Sequence, residues 1–147
     1  MQYLIFEGIP DREHILKGIL DLHDLIFNTE LPLDELKQKK GVLVMAAVDH
    51  DTVVGYKIGY ERKKKHYYSW LGGVDPRYQR QGIATELMRR QHQWCQEKGY
   101  LTVRTHTKNK WRGMLILNLR HGFDVIGTYT DDRGEPKIIL EKKLAHQ

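Results

Sequence analysis

Apolar positions along the chain switch between two periods, and each switch marks an expected element. Residues 2–7 alternate loosely and suit a short strand. Pro10-Asp11 then opens a helical pattern in which Ile15, Ile19, Leu22, Ile26 and Phe27 share one face. Pro32 fits the first turn of a second short helix, reaching about Gln38 and ended by Lys37-Gln38-Lys39-Lys40 and Gly41. The run Val42–Val48 is continuously apolar, as in a buried strand. Asp49-His50-Asp51 is a turn signal, and Thr52–Tyr60 is the returning strand. The basic run Arg62-Lys63-Lys64-Lys65 reads as a hairpin tip, followed by a strand over His66–Val74. After Pro76 the period becomes 3.6: Ile83, Ala84, Leu87, Met88, Gln91, Trp94 and Cys95 form the inner face of a helix ending near Gly99. A strand over Leu101–His106 and a helix over Trp111–Leu119, stopped by His121-Gly122, come next. Two strands, Phe123–Thr130 and Lys137–Leu144, flank the turn 131–136. The predicted order is β-α-α-β-β-β-α-β-α-β-β, a mixed α/β (α+β) fold in one domain spanning residues 1–147.

Composition changes this picture little. The chain has 147 residues, of which 40% are hydrophobic, enough for one core. No apolar run approaches the roughly 18 residues of a membrane span. Met1–Glu7 lacks the basic and apolar regions of a signal peptide, and the single cysteine, Cys95, can form no internal disulfide. A cytoplasmic protein without a membrane partner is therefore expected. The net charge of +5 favours anionic ligands in general. The basic residues are dispersed rather than striped with aromatics, so nucleic acid is not an expected partner. The histidines show no metal-ligand spacing with cysteine or carboxylate, and no metal is expected.

The chemistry concentrates where the strand ending at Val74 turns into the helix beginning near Gly82. The first turn of a helix has amide hydrogens without intrahelical partners and carries partial positive charge, so it binds phosphate. Gly82 lets the backbone approach an anion, and Ala84 is nearly as small. Gln79 and Arg80 add polar and cationic side chains, and no acid lies between Pro76 and Thr85. Neither a Walker A loop nor a three-glycine dinucleotide fingerprint is present.

Val74-Asp75-Pro76 followed by Gln79-Arg80-Gln81-Gly82-Ile83-Ala84 resembles the signature of the GNAT superfamily of acyltransferases, Val-x-Pro and then Arg/Gln-x-x-Gly-x-Gly/Ala. Gly122-Phe123 matches a second landmark of that family, and the element order matches from end to end. The resemblance implies a mostly antiparallel sheet that splays at one parallel strand pair, here the strands ending at Val74 and at His106. It implies acetyl-CoA as co-substrate, held by the backbone of Gly72, Gly73 and Val74 along its pantetheine arm. Amides of Gln81, Gly82, Ile83, Ala84 and Thr85, with Gln79 and Arg80 beside them, would take the pyrophosphate. Asn109 would contact the pantetheine, and the Val74 amide would donate to the thioester oxygen as an amine attacks directly, through a tetrahedral intermediate. The expected activity is N-acetyl transfer to a primary amine of a small molecule or peptide. The alternative is a non-catalytic acyl-CoA-binding or sensory module. The family also raises a homodimer.

The proton chemistry departs from the family. Many members carry an acidic tyrosine four residues before the Gly-Phe landmark, and here that position is Asn118. For the base, Glu61 is the nearest carboxylate, with Arg62 or Lys63 as its surface partner in a purely structural role. Tyr68, six residues before Val74, should share its strand face by the period of two, an offset at which some members carry a glutamate. Ser69 and His66 are weaker candidates. Trp94 and Cys95 read as core, and Trp70 as core or as part of an acceptor pocket. Trp111 and Arg112 open the last helix near the expected cofactor.

Overall fold

These alternating periods become seven strands and four helices in a computed structural model that describes residues 1–145. The strands are β1 (Gln2–Glu7), β2 (Leu43–Asp49), β3 (Thr52–Lys63), β4 (His66–Val74), β5 (Thr102–Lys108), β6 (Asp124–Thr130) and β7 (Pro136–Lys143). The helices are α1 (Glu13–Phe27), α2 (Leu33–Lys37), α3 (Ile83–Glu97) and α4 (Arg112–Arg120). The order is the expected one, with local differences. Arg12, not Asp11, precedes the first turn of α1, and Pro32 caps α2 from outside. β3 runs on through Lys63, because Lys63 still pairs with His66, so only Lys64 and Lys65 form the tip. β5 extends to Lys108, held by β7 out to Lys137.

All strands join one sheet in the order β1-β2-β3-β4-β5-β7-β6. Only β4 and β5 run parallel; every other neighbouring pair is antiparallel. The β2–β3 connection is a two-residue turn with positive φ at both His50 (46°) and Asp51 (64°), matching the strand twist.

Helices cover both faces. Ile15, Ile19 and Leu22 of α1 pack with Val44, Ala46, Tyr56 and Ile58 on one face. Each such aliphatic side chain contributes about 1.5–3 kcal/mol on burial. Leu87, Met88 and Cys95 of α3 pack with Met45, Tyr67, Val103 and Leu140 on the other. Cys95 is core, as its spacing predicts. Trp94 is only partly buried and donates from Nε1 to Glu7 at 2.9 Å.

Candidate active site

The parallel pairing of β4 and β5 covers only His66–Ser69 against Thr102–Thr105. Thr105 Oγ1 donates to the Ser69 carbonyl at 3.0 Å and closes that paired stretch. Beyond it, Trp70–Val74 and His106–Lys108 remain strand without pairing to each other. The cause is local. Opposite β3, Gly59 pairs with Ser69 but Ile58 pairs with Leu71, so Trp70 is an extra residue in β4. Such a bulge bends its strand, here away from β5. The sheet therefore opens into a V-shaped gap whose two walls are β4 and β5.

The bulge also resets the side-chain alternation. Tyr67 and Ser69 lie on the α3 face, while Leu71 joins the α1-side core and Val74 packs on the α3 side. Tyr68, in edge contact with Tyr60, lies on the α1 face. Tyr68 and Val74 thus occupy opposite faces, contrary to the period-of-two expectation, because one inserted residue inverts the count.

The backbone of the open segment is free on its gap side. Asp75 N donates to Val54 of β3 at 2.8 Å. Strand alternation then turns the N–H and C=O of Val74 and Gly72 the other way, into the gap. Gly73 is crowded from the α1 face: a Cβ there would lie 2.7 Å from Ile26 Cδ1. Its small size therefore serves helix packing.

At the wide end of the gap the chain turns into α3. Asp75 is buried and accepts from Arg77 N at 2.9 Å, capping the single 3-10 turn Pro76–Tyr78. Arg77 also forks onto the same carboxylate, with Nη2 at 2.9 Å, and holds its pKa below the usual value. Tyr78 donates to Asp49 at 2.9 Å. These bonds explain the Val-Asp-Pro sequence: proline begins the turn and aspartate caps it. Gln79, Arg80 and Gln81 then run exposed into α3. Arg80 and Gly82 have φ of 65° and 79°, which wraps the backbone inward. Gly82 precedes α3 without any side-chain cap, so the amides of Ile83, Ala84 and Thr85 point out unclaimed. Glu86 sits one turn in, gripped by Arg89 and Arg90, whose bonds hold its pKa at about 2.

On the α3 face, several buried polar groups lack partners, with Thr107 beside the gap, Gln91 over its apex and His92 farther back over the paired strands. Both polar side-chain atoms of Gln91 are unpaired, as are Thr107 Oγ1 on β5 and His92 Nε2 on α3. Gln91 lies over Gly59, where a Cβ would come within 3.0 Å of its Nε2. Buried groups of this kind normally have partners. The exception at Gln91 and Thr107 fits the amides and carbonyls of a pantetheine arm lying in the gap. Lys57 opposes Gly72, and its stem runs past that glycine at 3.6 Å from where a Cβ would stand. Burial lowers its ammonium pKa to about 8.

The other predicted residues are scattered more widely. Asn118 is the buried residue of α4. Its carbonyl accepts from Phe123 N at 3.0 Å, and Gly122 N donates to Leu119 at 3.3 Å. That pair of bonds, with Gly122 at φ 90°, closes α4 and explains the Gly-Phe landmark. Asn109 is exposed in the turn after β5. Trp111 meets Phe27 of α1 edge-on at 6.1 Å, and Arg112 is exposed beside it. Ser69 is buried on the α3 face, and His66 bonds Thr102 at 2.7 Å where the strands are still paired.

Glu61 does not face the gap. It opposes Tyr67 on the α3 face, before the pairing ends, and accepts from Tyr100 at 3.0 Å. Its cationic neighbour is Lys40 at 3.5 Å, neither Arg62 nor Lys63. A side chain absent from the sequence reading stands at the gap instead. His106 is the first residue of β5 beyond the paired stretch. Its ring meets Tyr68 at 5.1 Å, and its Nδ1 is 3.2 Å from the Tyr129 hydroxyl. Burial, with help from Lys137, Arg104 and Arg62, lowers its pKa below the ordinary 6.5, so it is neutral at pH 7. Among the described residues, no group of three or more metal-ligating side chains gathers, and no helix is long and apolar enough to cross a membrane.

The sequence profile of the acetyltransferase (GNAT) family matches residues 14–113, from α1 to the start of α4. The chain belongs to the GNAT acetyltransferase family. Solved structures repeat its fold. The ribosomal-protein-S18-alanine N-acetyltransferase from Escherichia coli superposes with a TM-score of 0.80 at 16% identity, over 99% of this chain and 96% of that one. Ard1 from Thermoplasma volcanium gives 0.81 at 16% identity, over 98% and 99%. An aminoglycoside 6'-N-acetyltransferase complexed with coenzyme A gives 0.80 at 14% identity, over 98% of each chain. At such identities the likeness is one of fold. No curated protein matches the chain by sequence. The bulged, splayed sheet is thus a GNAT fold, and acetyl transfer is the activity its family supports.

Proposed function

We propose that the protein is an N-acetyltransferase that moves the acetyl group of acetyl-CoA to a primary amine. The observation that carries this reading is the gap after Ser69 and Thr105, lined by free backbone of Gly72 and Val74 and leading to the uncapped start of α3. The coenzyme A complex of a similarly folded aminoglycoside acetyltransferase supports the choice of ligand. Bound acetyl-CoA supplies an activated acetyl thioester. Gln79, Arg80 and the amides from Gln81 to Thr85 hold its pyrophosphate, and Asn109 lies beside the pantetheine path. The Val74 amide, next to the start of α3, donates to the arm, and the Gly72 amide, nearer His106 and opposite Lys57, donates to the acetyl oxygen, on which negative charge grows.

His106 takes the proton from the attacking amine through Nε2, since Nδ1 faces Tyr129. Tyr68 packs against the imidazole and fixes its plane. An N–C bond forms and the C–S bond breaks. Lys57 gives a proton to the departing thiolate, the role that Asn118, which has no acidic proton, cannot fill. Asn118 is left as a hydrogen-bonding neighbour of the sulfur.

Calorimetric titration with acetyl-CoA tests the site. The wild type should bind saturably. Gly72→Val, which puts two methyl groups on the α3 face of the gap, should weaken binding at least tenfold. Absence of binding to the wild type, or equal binding by both, would remove the reading.

A further inference from the structure

The sheet face that carries His106 is covered by α1 only over β3 and β4. On its β5–β7 half, two guanidiniums meet one carboxylate. Arg104 donates to Glu141 Oε1 from Nε at 3.3 Å and from Nη2 at 3.1 Å. Arg62 Nη2 stands 3.8 Å from that same oxygen. Arg62 Nε is buried and has no partner. The three side chains are only 22–27% exposed, so their charges are poorly screened by water.

The charges facing this spot do not balance. β3 supplies Arg62 and Lys63, β5 supplies Arg104, β7 supplies Lys137 and Glu141, and β6 supplies the exposed Asp124, which opposes Glu141. His66 of β4 and His106 of β5 both have their pKa lowered, by burial first and then by cations: Lys63, Arg62 and Arg104 for His66, and Lys137, Arg104 and Arg62 for His106. Lys108, farther along β5, is already neutralised by Asp131 at 3.5 Å and Glu135 at 2.9 Å. Within ion-pair distance, Arg62 and Arg104 thus share Glu141 as their one carboxylate among the described residues. A structural staple would need one guanidinium for that carboxylate. The second one is in excess, and guanidinium prefers a forked contact with a carboxylate.

We propose that Arg62 and Arg104 hold a carboxylate of the acceptor, so that the amine acetylated by this protein is a small amino acid. Distance supports this. Arg104 lies two residues before His106 on one face of β5, about 7 Å along the strand. A long arginine side chain spans that interval, so a carboxylate at its tip and an amine at His106 belong to one short molecule. The rest of the acceptor meets aromatic rings: Tyr60, Tyr68 and Trp70 make edge contacts at 5.3 and 5.5 Å, and Tyr129 stands beside His106. An apolar side chain on the amino acid fits that surface.

This inference rests on the acetyltransferase reading, and its test separates the two. Phenylalanine, phenylalaninamide and phenethylamine are titrated into the coenzyme A-loaded protein at physiological salt, with leucine, leucinamide and isopentylamine as a second set. Each acid should bind at least tenfold more tightly than its amide or its decarboxylated amine. Arg104→Gln and Arg62→Gln should each shrink that ratio to threefold or less, with coenzyme A affinity unchanged. Arg104→Lys keeps the charge and loses the fork, and should retain part of the preference. If neither acid binds more tightly than its amide, or if the preference survives both glutamine variants, the proposal is wrong. Thiol release from acetyl-CoA reads the other claim. A binding preference without release on any probe would keep the carboxylate site and remove the acetyltransferase.

Discussion

His92 ties the stability of the fold to pH, and the effect can be worked out from its surroundings. The ring lies between α3 and Phe123, 7% exposed, with Nδ1 at 3.3 Å from Lys142 Nζ. Burial, and then Lys142, Lys57 and His121, lowers its pKa from 6.5 to about 3. In the unfolded chain the imidazole takes a proton near pH 6.5; in the folded protein it does so only near pH 3. The unfolded state therefore binds more protons between those values, and stability falls as pH drops through 6.5. At pH 7.5 the loss is negligible. At pH 5 it is about 1.5 pH units at about 1.4 kcal/mol each, or about 2 kcal/mol. His92→Phe removes the titration and also an unpaired buried nitrogen, Nε2. Urea unfolding of both proteins at pH 7.5 and pH 5 should show the wild type losing about 2 kcal/mol more than the variant. The other histidines contribute equally to both and cancel. Identical losses in the two proteins would refute the argument and place the ring in contact with water.

Other substitutions probe the site and the sheet. His106→Gln should lower kcat/KM with an accepted amine by at least about a hundredfold while acetyl-CoA affinity is kept. In Arg104→Gln the acidic limb of the pH–rate profile should move to higher pH, because removing a cation raises the His106 pKa; an unmoved limb would take the proton role from His106. Glu61→Gln should leave the rate within about threefold of wild type, since its carboxylate serves Tyr100 and Lys40; a fall of a hundredfold would return it to the chemistry. Gly59→Ala would place a Cβ 2.4 Å from the Tyr67 ring and 2.7 Å from the Tyr68 carbonyl. It should cost about 3 kcal/mol, lowering Tm by roughly 10 °C in a thermal melt.

Much of this was legible in the sequence because it is written locally. The capping of Pro76 by Asp75, the freedom of Gly82 and the closure of α4 by Gly122 depend on residues within a few positions, and their motif follows from those needs. The element order was legible because both periods are regular. The bulge at Trp70 was not. Nothing in His66–Val74 marks an extra residue until β3 is laid beside it, and that one residue carried Tyr68 to the other face. Glu61 misled for a related reason. Its partners, Lys40 and Tyr100, are 21 and 39 positions away. His106 stood at the expected end of its strand, and only the register against β4 shows that pairing stops one residue earlier. The alternation Arg104-Thr105-His106-Thr107-Lys108 was the available signal, three basic side chains on one strand face.

The most direct test of the central claim is turnover. The protein is incubated with acetyl-CoA and a panel of primary amines that includes free amino acids, and free thiol and N-acetylated amine are measured together. Both should appear in equal amounts with at least one amine, and His106→Gln should suppress both. Saturable acetyl-CoA binding with no acetylated amine on any member of the panel would contradict the claim, and would make the chain an acyl-CoA-binding module on the GNAT fold.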